Sequence, residues 1–141
     1  MFNDKSFESR LSAWSGFRSS LEKSDTPLHD VVSYYSQTIR VSQRYDPWDQ
    51  ANWPTPWTLV FENKYCAFTA ILGMCYSLKL TNRFKESAID VWIIKDDALQ
   101  TQYVGKVNEY ILGLNDDVHL IDDISNRISI LKEFTVCNSI H

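Results

Sequence analysis

The period of the apolar residues changes once along this chain of 141 residues, close to Thr81-Asn82. Before that point, apolar residues recur every three or four positions, which is the spacing of one helix face. The first such set is Phe7, Leu11, Trp14, Phe17 and Leu21. After that point, residues 88–95 are β-branched and aromatic, which is typical of a strand. Helices followed by strands predict an α+β fold, in which N-terminal helices and a central buried helix pack on a small antiparallel sheet.

Two amphipathic helices are predicted in the first 40 residues. The first covers about residues 5–23, and Asn3 or Asp4 is its expected N-cap. The second begins at Thr26-Pro27, because a hydroxyl cap followed by proline is a common helix start. Its expected inner face consists of Leu28, Val31, Val32, Tyr35 and Ile39.

Two more helices are predicted before the change of period. Thr55-Pro56 repeats the cap-and-proline pattern and begins a short helix that continues through Phe61. A longer helix is predicted over about residues 64–78, and it is apolar around most of its circumference. Such a helix is buried on more than one side, so we expect it at the centre of the fold.

The strands are predicted in the second part of the chain. They cover residues 88–95, 101–107 and 110–114, with a further candidate at 118–121. Residues 127–136 fit an edge strand or a short helix, and we favour the strand. We expect one domain over 1–141, with a helical part at about 1–80 and a strand-rich part at about 86–137.

The charge of the chain argues against several classes of partner. It has 14 Lys and Arg against 18 Asp and Glu, a net charge of −4, and no basic cluster. Nucleic acids and anionic membranes attract basic patches, so we expect neither as a partner. No apolar run approaches the roughly 20 residues that span a bilayer, and the start of the chain lacks the plan of a signal peptide. Three cysteines fit a reducing compartment such as a cytoplasm.

Cys66 is the candidate nucleophile, because it lies near the start of the predicted central helix. Exposed backbone N–H groups and the helix dipole lower the pKa of a thiol at that position. His119 is the candidate base, with Asp117 or Asp122 to orient it. The alternative is that Cys66 is a small buried apolar residue and His119 a surface residue on an edge strand.

No cofactor and no metal are expected. The cysteines lack metal-ligand spacing, and the isolated glycines form no phosphate-binding loop. The acidic residues 115–123 lack the alternating spacing of a calcium loop, so we expect a solvated loop there.

Residues 45–57, named here the aromatic segment, are the most distinctive part of the sequence. Tyr45, Trp48, Trp53 and Trp57 are its candidate partner-binding residues, since Trp and Tyr are preferred anchors at interfaces. The alternative is that these side chains pack under the central helix as part of the core.

Several short motifs carry a resemblance to a known family. They are Trp53-Pro54-Thr55-Pro56-Trp57, Asn63-Lys64-Tyr65-Cys66, Leu72-Gly73 and residues 76–84. They resemble a family of small uncharacterised proteins from tailed bacteriophages, especially marine and cyanobacterial myoviruses. The resemblance extends over roughly two-thirds of the chain and fades after Leu114. It implies a phage origin rather than a mechanism.

The chain also has a remote similarity to the transglutaminase-like cysteine hydrolases. In that family a Cys begins a central helix, a His lies on a following strand and an Asp on the next. Cys66 matches the first position. The His position falls within 89–93, most naturally at Trp92, and the Asp position falls near Asn108. The resemblance therefore implies a derivative that has lost two catalytic residues and is not an enzyme.

These observations predict a bacteriophage structural or assembly protein that acts through protein–protein contacts, with the head, neck and tail of the virion as its candidate places. Its expected partners are other phage proteins, and its expected place is the virion or the host cytoplasm. One alternative is a phage protein that binds and inhibits a host protein. A second alternative is a cysteine hydrolase with Cys66 as nucleophile.

Overall fold

A computed structural model of the protein describes residues 1–137. Its elements confirm the mixed α+β class, with helices before strands. The helices are α1 (Phe7–Lys23), α2 (Pro27–Ser36), α3 (Pro56–Glu62), α4 (Ala67–Lys79) and α5 (Ile121–Ile124). The strands are β1 (Ile89–Lys95), β2 (Thr101–Val107), β3 (Tyr110–Leu114), β4 (Asp117–Leu120) and β5 (Ser129–Thr135).

The five strands form one antiparallel sheet in the order β4-β3-β2-β1-β5. The first four strands follow one another as hairpins, and β5 then returns to pair with β1. Asn108 has a φ of 53° in the tight β2–β3 turn, a left-handed conformation that asparagine tolerates. β4 and β5 are therefore the two edges of the sheet.

α4 is the central helix, as predicted, and only Ala67 at its start is exposed. It packs against β1 and β2 on one face of the sheet and against α2 on its other side. Cys66 is its N-cap, so the helix begins three residues later than predicted. Because α4 is apolar on nearly all sides, it joins the helical layer to the sheet.

The two faces of the sheet carry separate apolar clusters. Val91 and Leu112 belong to the large cluster that includes α4. Trp92, Ile94 and Val104 belong to a smaller cluster on the other face, together with Ile124 of α5. Neighbouring strand residues point to opposite faces, which places Trp92 on the side away from α4.

Several local predictions for the helices are wrong. Ser6, not Asn3 or Asp4, caps α1, because its Oγ accepts the N–H of Ser9 at 3.1 Å. α2 ends at Ser36, so Ile39 lies beyond the helix and is almost fully exposed.

Two further features differ from the sequence-based expectation. Thr26 makes no capping bond at the start of α2, and its Oγ1 donates to Asp30 Oδ1 at 3.0 Å instead. The short helix α5 carries too few residues to show a helical period, and the sequence did not predict it. Among residues 1–137, no helix is long and apolar enough to cross a membrane.

Candidate partner-binding site

The aromatic segment is divided between the interior and the surface. Tyr45 and Trp53 are half-buried, whereas Trp48 is 51% and Trp57 38% exposed. Partial burial of Tyr45 and Trp53 agrees with the core interpretation for these two residues, whereas the exposed Trp48 and Trp57 stay candidates for partner binding. Phe61, four residues after the end of the aromatic segment, is 63% exposed.

Trp53 attaches the segment to the core. Its ring lies 5.3 Å from that of Phe68 and 5.1 Å from that of Phe134, measured between centroids. Its indole N–H donates to the carbonyl of Pro47 at 3.1 Å. Trp53 thus contacts both α4 and β5 and holds the loop that precedes it.

Tyr45 forms a second attachment. Its hydroxyl donates to Glu62 Oε1 at 2.6 Å, and Arg44 lies 3.3 Å from Glu62 Oε2. Burial, followed by the bond to the Glu62 carboxylate, raises the pKa of Tyr45 to about 12. The hydroxyl therefore stays protonated and keeps donating at neutral pH, which links the loop to the last residue of α3.

Trp48 projects from a turn that is fixed on both sides. Asp46 Oδ1 accepts the backbone N–H of Trp48 at 2.9 Å, and Pro47 between them is buried. An Asp that bonds the backbone two residues later is a common turn device. The turn leaves the indole of Trp48 in solvent.

Trp57 and Phe61 lie one helical turn apart on α3 and form, with Phe7 of α1, a surface that we name the aromatic face. Trp57 makes an edge contact with Trp14 at 5.5 Å, and Phe61 makes one with Phe7 at 5.4 Å. Rings at positions i and i+4 share one side of a helix. Phe61 was predicted in this helix but not in the site, although its spacing from Trp57 is the signal that finds it.

α3 has only seven residues, and both of its ends are fixed. Thr55 Oγ1 accepts the N–H of Thr58 at 3.2 Å, which confirms the predicted cap. Asn63 ends the helix with a φ of 52°, in the left-handed conformation that asparagine tolerates. A helix this short is not stable alone, so these ends and its packing hold the aromatic face in place.

Arg10 holds the C-terminal end of α3, a role that was not predicted from the sequence. Its Nε and Nη2 donate to the carbonyls of Val60 and Phe61, both at 2.8 Å. Its Nη1 donates to the carbonyls of Asp4 and Lys5, both at 3.0 Å. The cation thus satisfies carbonyls at the negative end of the α3 dipole while it is buried. Its signal in the sequence is its spacing, three residues after Phe7 on the buried face of α1.

Cys66 lies at the start of α4 as predicted, but its side chain is a helix cap. Its Sγ accepts the N–H of Thr69 at 3.5 Å, while Thr69 Oγ1 accepts the N–H of Cys66 at 2.9 Å. Burial is the largest influence on this thiol and raises its pKa. Hydrogen bonds from Thr69 and from backbone N–H groups outweigh it, and the pKa of Cys66 is lowered overall. The residue is only 2% exposed.

His119 lies on β4, and its imidazole is hydrogen-bonded to a backbone carbonyl rather than to Cys66. Its Nε2 is 3.0 Å from the carbonyl of Leu114, and no histidine is among the hydrogen-bond partners of Cys66 within residues 1–137. The structure does not bring the two candidate residues together as a hydrogen-bonded pair. Trp92, the most natural position for the family's histidine, lies on the sheet face away from α4. Ile89 and Val91 belong to the cluster that includes α4, and Ile93 shares their side of the strand, so the positions in 89–93 that face α4 are all apolar.

A half-open cleft of about 360 Å³ lies between the start of α2 and the β2–β3 turn. Leu28, Phe84 and Tyr110 are among its apolar walls, and neither Cys66 nor His119 lines it. Within residues 1–137, no group of three or more His, Cys, Asp or Glu side chains could hold a metal ion.

No protein-family model matches the chain, and no curated protein matches its sequence. The function proposed below therefore rests on the exposed aromatic side chains and on the resemblance of the Trp-Pro-Thr-Pro-Trp motif.

Proposed function

We propose that the protein is a structural or assembly component of a tailed bacteriophage and acts by binding other phage proteins. The observation that carries the binding role is the exposure of Trp48, Trp57 and Phe61 on supports that are fixed by hydrogen bonds. Aromatic side chains of this kind are enriched at the centres of interfaces, where they lose water on binding.

The rigidity of the supports favours binding over an accidental exposure of apolar rings. Arg10 fixes the end of α3, and Trp53 and Tyr45 fix the loop that carries Trp48. A side chain that is already ordered loses less conformational entropy when it binds, so it contributes more to affinity. The indole N–H groups of Trp48 and Trp57 have no protein partner within residues 1–137, whereas those of the other three tryptophans do. They remain available to an acceptor on a partner.

The phage assignment is supported by the resemblance of residues 53–57 and of the motifs that follow. The same aromatic side chains would equally serve a phage protein that binds and inhibits a host protein. The lowered pKa of Cys66 is the observation that favours the hydrolase alternative, and the burial of the thiol opposes it.

The test is incorporation into phage particles. Particles and assembly intermediates are purified and analysed by mass spectrometry for the wild-type chain and for Phe61→Ser, Trp48→Ser and Leu99→Ser. We expect the wild type and the Leu99→Ser control in the same fraction, because Leu99 is exposed on the β1–β2 turn and belongs to neither the aromatic segment nor the aromatic face. We expect Phe61→Ser and Trp48→Ser to be depleted.

Absence of the wild-type protein from every particle and intermediate would contradict the assembly role. A stable complex with a host protein, lost in Phe61→Ser but not in Leu99→Ser, would then favour the inhibitor. Equal incorporation of all four chains would show that other surfaces make the contacts.

A further inference from the structure

Arg18 of α1 is a half-buried cation without an anion beside it. Within residues 1–137 its guanidinium makes no hydrogen bond or ion pair, and its Nε is buried without an acceptor. Of the other five arginines, four donate side-chain hydrogen bonds and the fifth, Arg127, is exposed. Arg18 is therefore the arginine of this part of the chain that is half-buried and unpaired.

The carboxylate that could pair with Arg18 on the same helix is engaged elsewhere. Glu22 lies four residues further along α1, which is the spacing of an intrahelical ion pair. Both of its carboxylate oxygens instead accept backbone N–H groups, from Asn82 and Arg83 at 2.9 Å. Burial lowers the pKa of Arg18, as is expected for a cation that lacks a nearby anion. An arginine stays charged at neutral pH, so this charge has no counter-charge within residues 1–137.

Arg18 stands at one end of the aromatic face. Its Cζ lies 4.3 Å from the ring centroid of Trp14, and the ring of Trp57 contacts that same ring at 5.5 Å. Phe7, Trp14 and Arg18 are spaced by seven and four residues, so they lie along one side of α1. On α3, Phe61 packs beside Phe7 and Trp57 beside Trp14. The guanidinium is therefore next in this row, one turn of α1 beyond Trp14.

A partner that covers the aromatic face also takes water away from Arg18. The Nε is already buried, so the two Nη groups are the ones left open to a partner. An apolar cover over these groups would leave a buried charge unpaired, which is strongly unfavourable. A carboxylate avoids this cost, because its two oxygens accept from the guanidinium at once. The best cover for this surface is therefore apolar and acidic side by side.

We infer that the aromatic face and Arg18 bind a segment of another phage protein in which an Asp or Glu side chain stands beside a large apolar side chain. The apolar side chain packs on Trp57 and Phe61, and the carboxylate pairs with the Nη groups of Arg18. This inference rests on the proposed function, since it names the chemistry of the partner for the same surface. A phosphate is the other anion that arginine binds, but the net charge of −4 and the lack of a basic cluster disfavour a nucleic acid.

The first test joins the carboxylate of the partner to this chain. Phage particles and assembly intermediates are prepared with Arg18→Lys or with the control Arg127→Lys, and are treated with a water-soluble carbodiimide. This reagent condenses an amine with a neighbouring carboxylate into an amide and takes up the water as a urea. Mass spectrometry should find position 18 joined to an Asp or Glu side chain of another phage protein, at least about tenfold more often than position 127, because only contacting groups react fast.

The outcomes of this test separate the inference from the proposed function. Absence of the wild-type chain from every particle and intermediate would contradict the proposed function, and the inference would fall with it. Incorporation of Arg18→Lys without coupling at position 18 would contradict the inference alone. So would coupling of position 18 to the terminal carboxylate of another protein, because the anion would then not be a side chain.

The second test reverses the charge of Arg18. We expect Arg18→Glu to lower incorporation into particles at least about tenfold, because two carboxylates then face each other. Arg18→Lys should retain more incorporation than Arg18→Gln, since it keeps the charge without the planar fork. The control Arg127→Glu should match the wild type. Melting temperatures well above the temperature of assembly would show that each variant is folded.

A charge swap completes this test. Once the first test has identified the acidic residue of the partner, its replacement by Lys should restore the incorporation of Arg18→Glu. A loss of incorporation that comes only from altered packing around Trp14 would not be restored in this way, and that result would overturn the inference. Equal incorporation of Arg18→Glu and Arg127→Glu would also overturn it, and the proposed function would still stand if Phe61→Ser were depleted.

Discussion

Trp14 lies inside the helical layer and Trp57 lies on its surface. The two tryptophans differ in the hydrogen-bond partner of the indole N–H rather than in their local sequence. Trp14 is buried, and its indole N–H donates to Ser77 Oγ at 2.9 Å. Ser77 donates its own proton to the carbonyl of Gly73 at 2.8 Å, so the Tyr35 hydroxyl, 3.1 Å away, must donate to Ser77. Every polar atom of this buried group is thereby satisfied, as a core requires.

Trp57 touches the same group only at its edge. Its ring lies 5.5 Å from that of Trp14, and its indole N–H has no protein partner within residues 1–137. Trp14 thus contacts both the buried hydrogen-bonded group and the exposed ring of Trp57. For these two tryptophans, the buried one has its indole N–H bonded inside the fold, and the exposed one leaves this group without a protein partner in residues 1–137.

The largest expected effect on the free energy of unfolding is at Gly73, in the buried group around Tyr35. A Cβ at this position would lie 2.5 Å from Tyr35 Cε1 and 2.9 Å from Tyr35 Cζ. We expect Gly73→Ala to lower the free energy of unfolding by about 3 kcal/mol, because the buried ring must move. Urea unfolding of this variant and the wild type measures the difference.

Gly16 provides the matched control. A Cβ there meets no atom within 4 Å, and the residue lies on the exposed side of α1. Gly16→Ala should therefore stabilise the protein by about 1 kcal/mol, through helix propensity alone. Equal effects at the two glycines would show that the Tyr35 ring has room to move.

The next effect separates two tryptophans of the aromatic segment. Trp53→Ala removes the ring contacts with Phe68 and Phe134 and should cost about 2 kcal/mol, since the ring is only half-buried. Trp48→Ala should change the free energy of unfolding by less than about 0.5 kcal/mol, as is usual for an exposed residue. Thermal or urea unfolding of both variants provides the measurement. If Trp48→Ala cost as much as Trp53→Ala, Trp48 would be a structural residue.

The longer helices and the strands were predictable from the sequence, whereas two helix caps and the division of the aromatic segment were not. Period and β-branching predicted β2 and β3 at their observed residues, since these signals lie within the strand itself. Whether Trp53 or Trp48 is buried depends on Phe68 and Phe134, which are distant in sequence.

Other features escaped prediction for the same reason. The acceptors of Arg10 lie about fifty residues along the chain, in α3. Ile39 fits the apolar spacing of α2, but the helix stops before it. For Cys66 the sequence predicted a lowered pKa from the helix start and offered burial as the alternative, and both are observed; that the two occur together depends on the tertiary packing.

The exposed Cys137 and the buried Cys66 should also differ in their reactivity toward alkylating reagents. Cys137 is exposed and Cys66 is buried, although the pKa of Cys66 is lowered. We expect access to dominate, so that iodoacetamide alkylates Cys137 at least about tenfold faster, a difference of 1.4 kcal/mol in activation free energy. Peptide mass spectrometry at successive times assigns each site. Cys66 labelling as fast as Cys137 in the folded protein would favour the hydrolase alternative.

The smallest expected effect on stability comes from the charged side chain of Glu22, which makes hydrogen bonds at the surface. Glu22 of α1 accepts the backbone N–H groups of Asn82 and Arg83, both at 2.9 Å, and these bonds lower its pKa in the folded state. A carboxylate with a lowered pKa contributes stability above its unfolded value of about 4.3, and this contribution is lost as the pH falls through the folded pKa.

We therefore expect Glu22→Gln to lower the melting temperature slightly near pH 7 and to match the wild type at pH values below the folded pKa of Glu22. Glu86→Gln is the control, because this exposed carboxylate makes no hydrogen bond within the described residues, and its melting curves should follow the wild type throughout. A difference for Glu22→Gln that stayed constant with pH would mean that the ionised form is not required. The two bonds from the backbone of Asn82 and Arg83 to Glu22 would then be ordinary hydrogen bonds of an exposed side chain, whose strength does not depend on its charge.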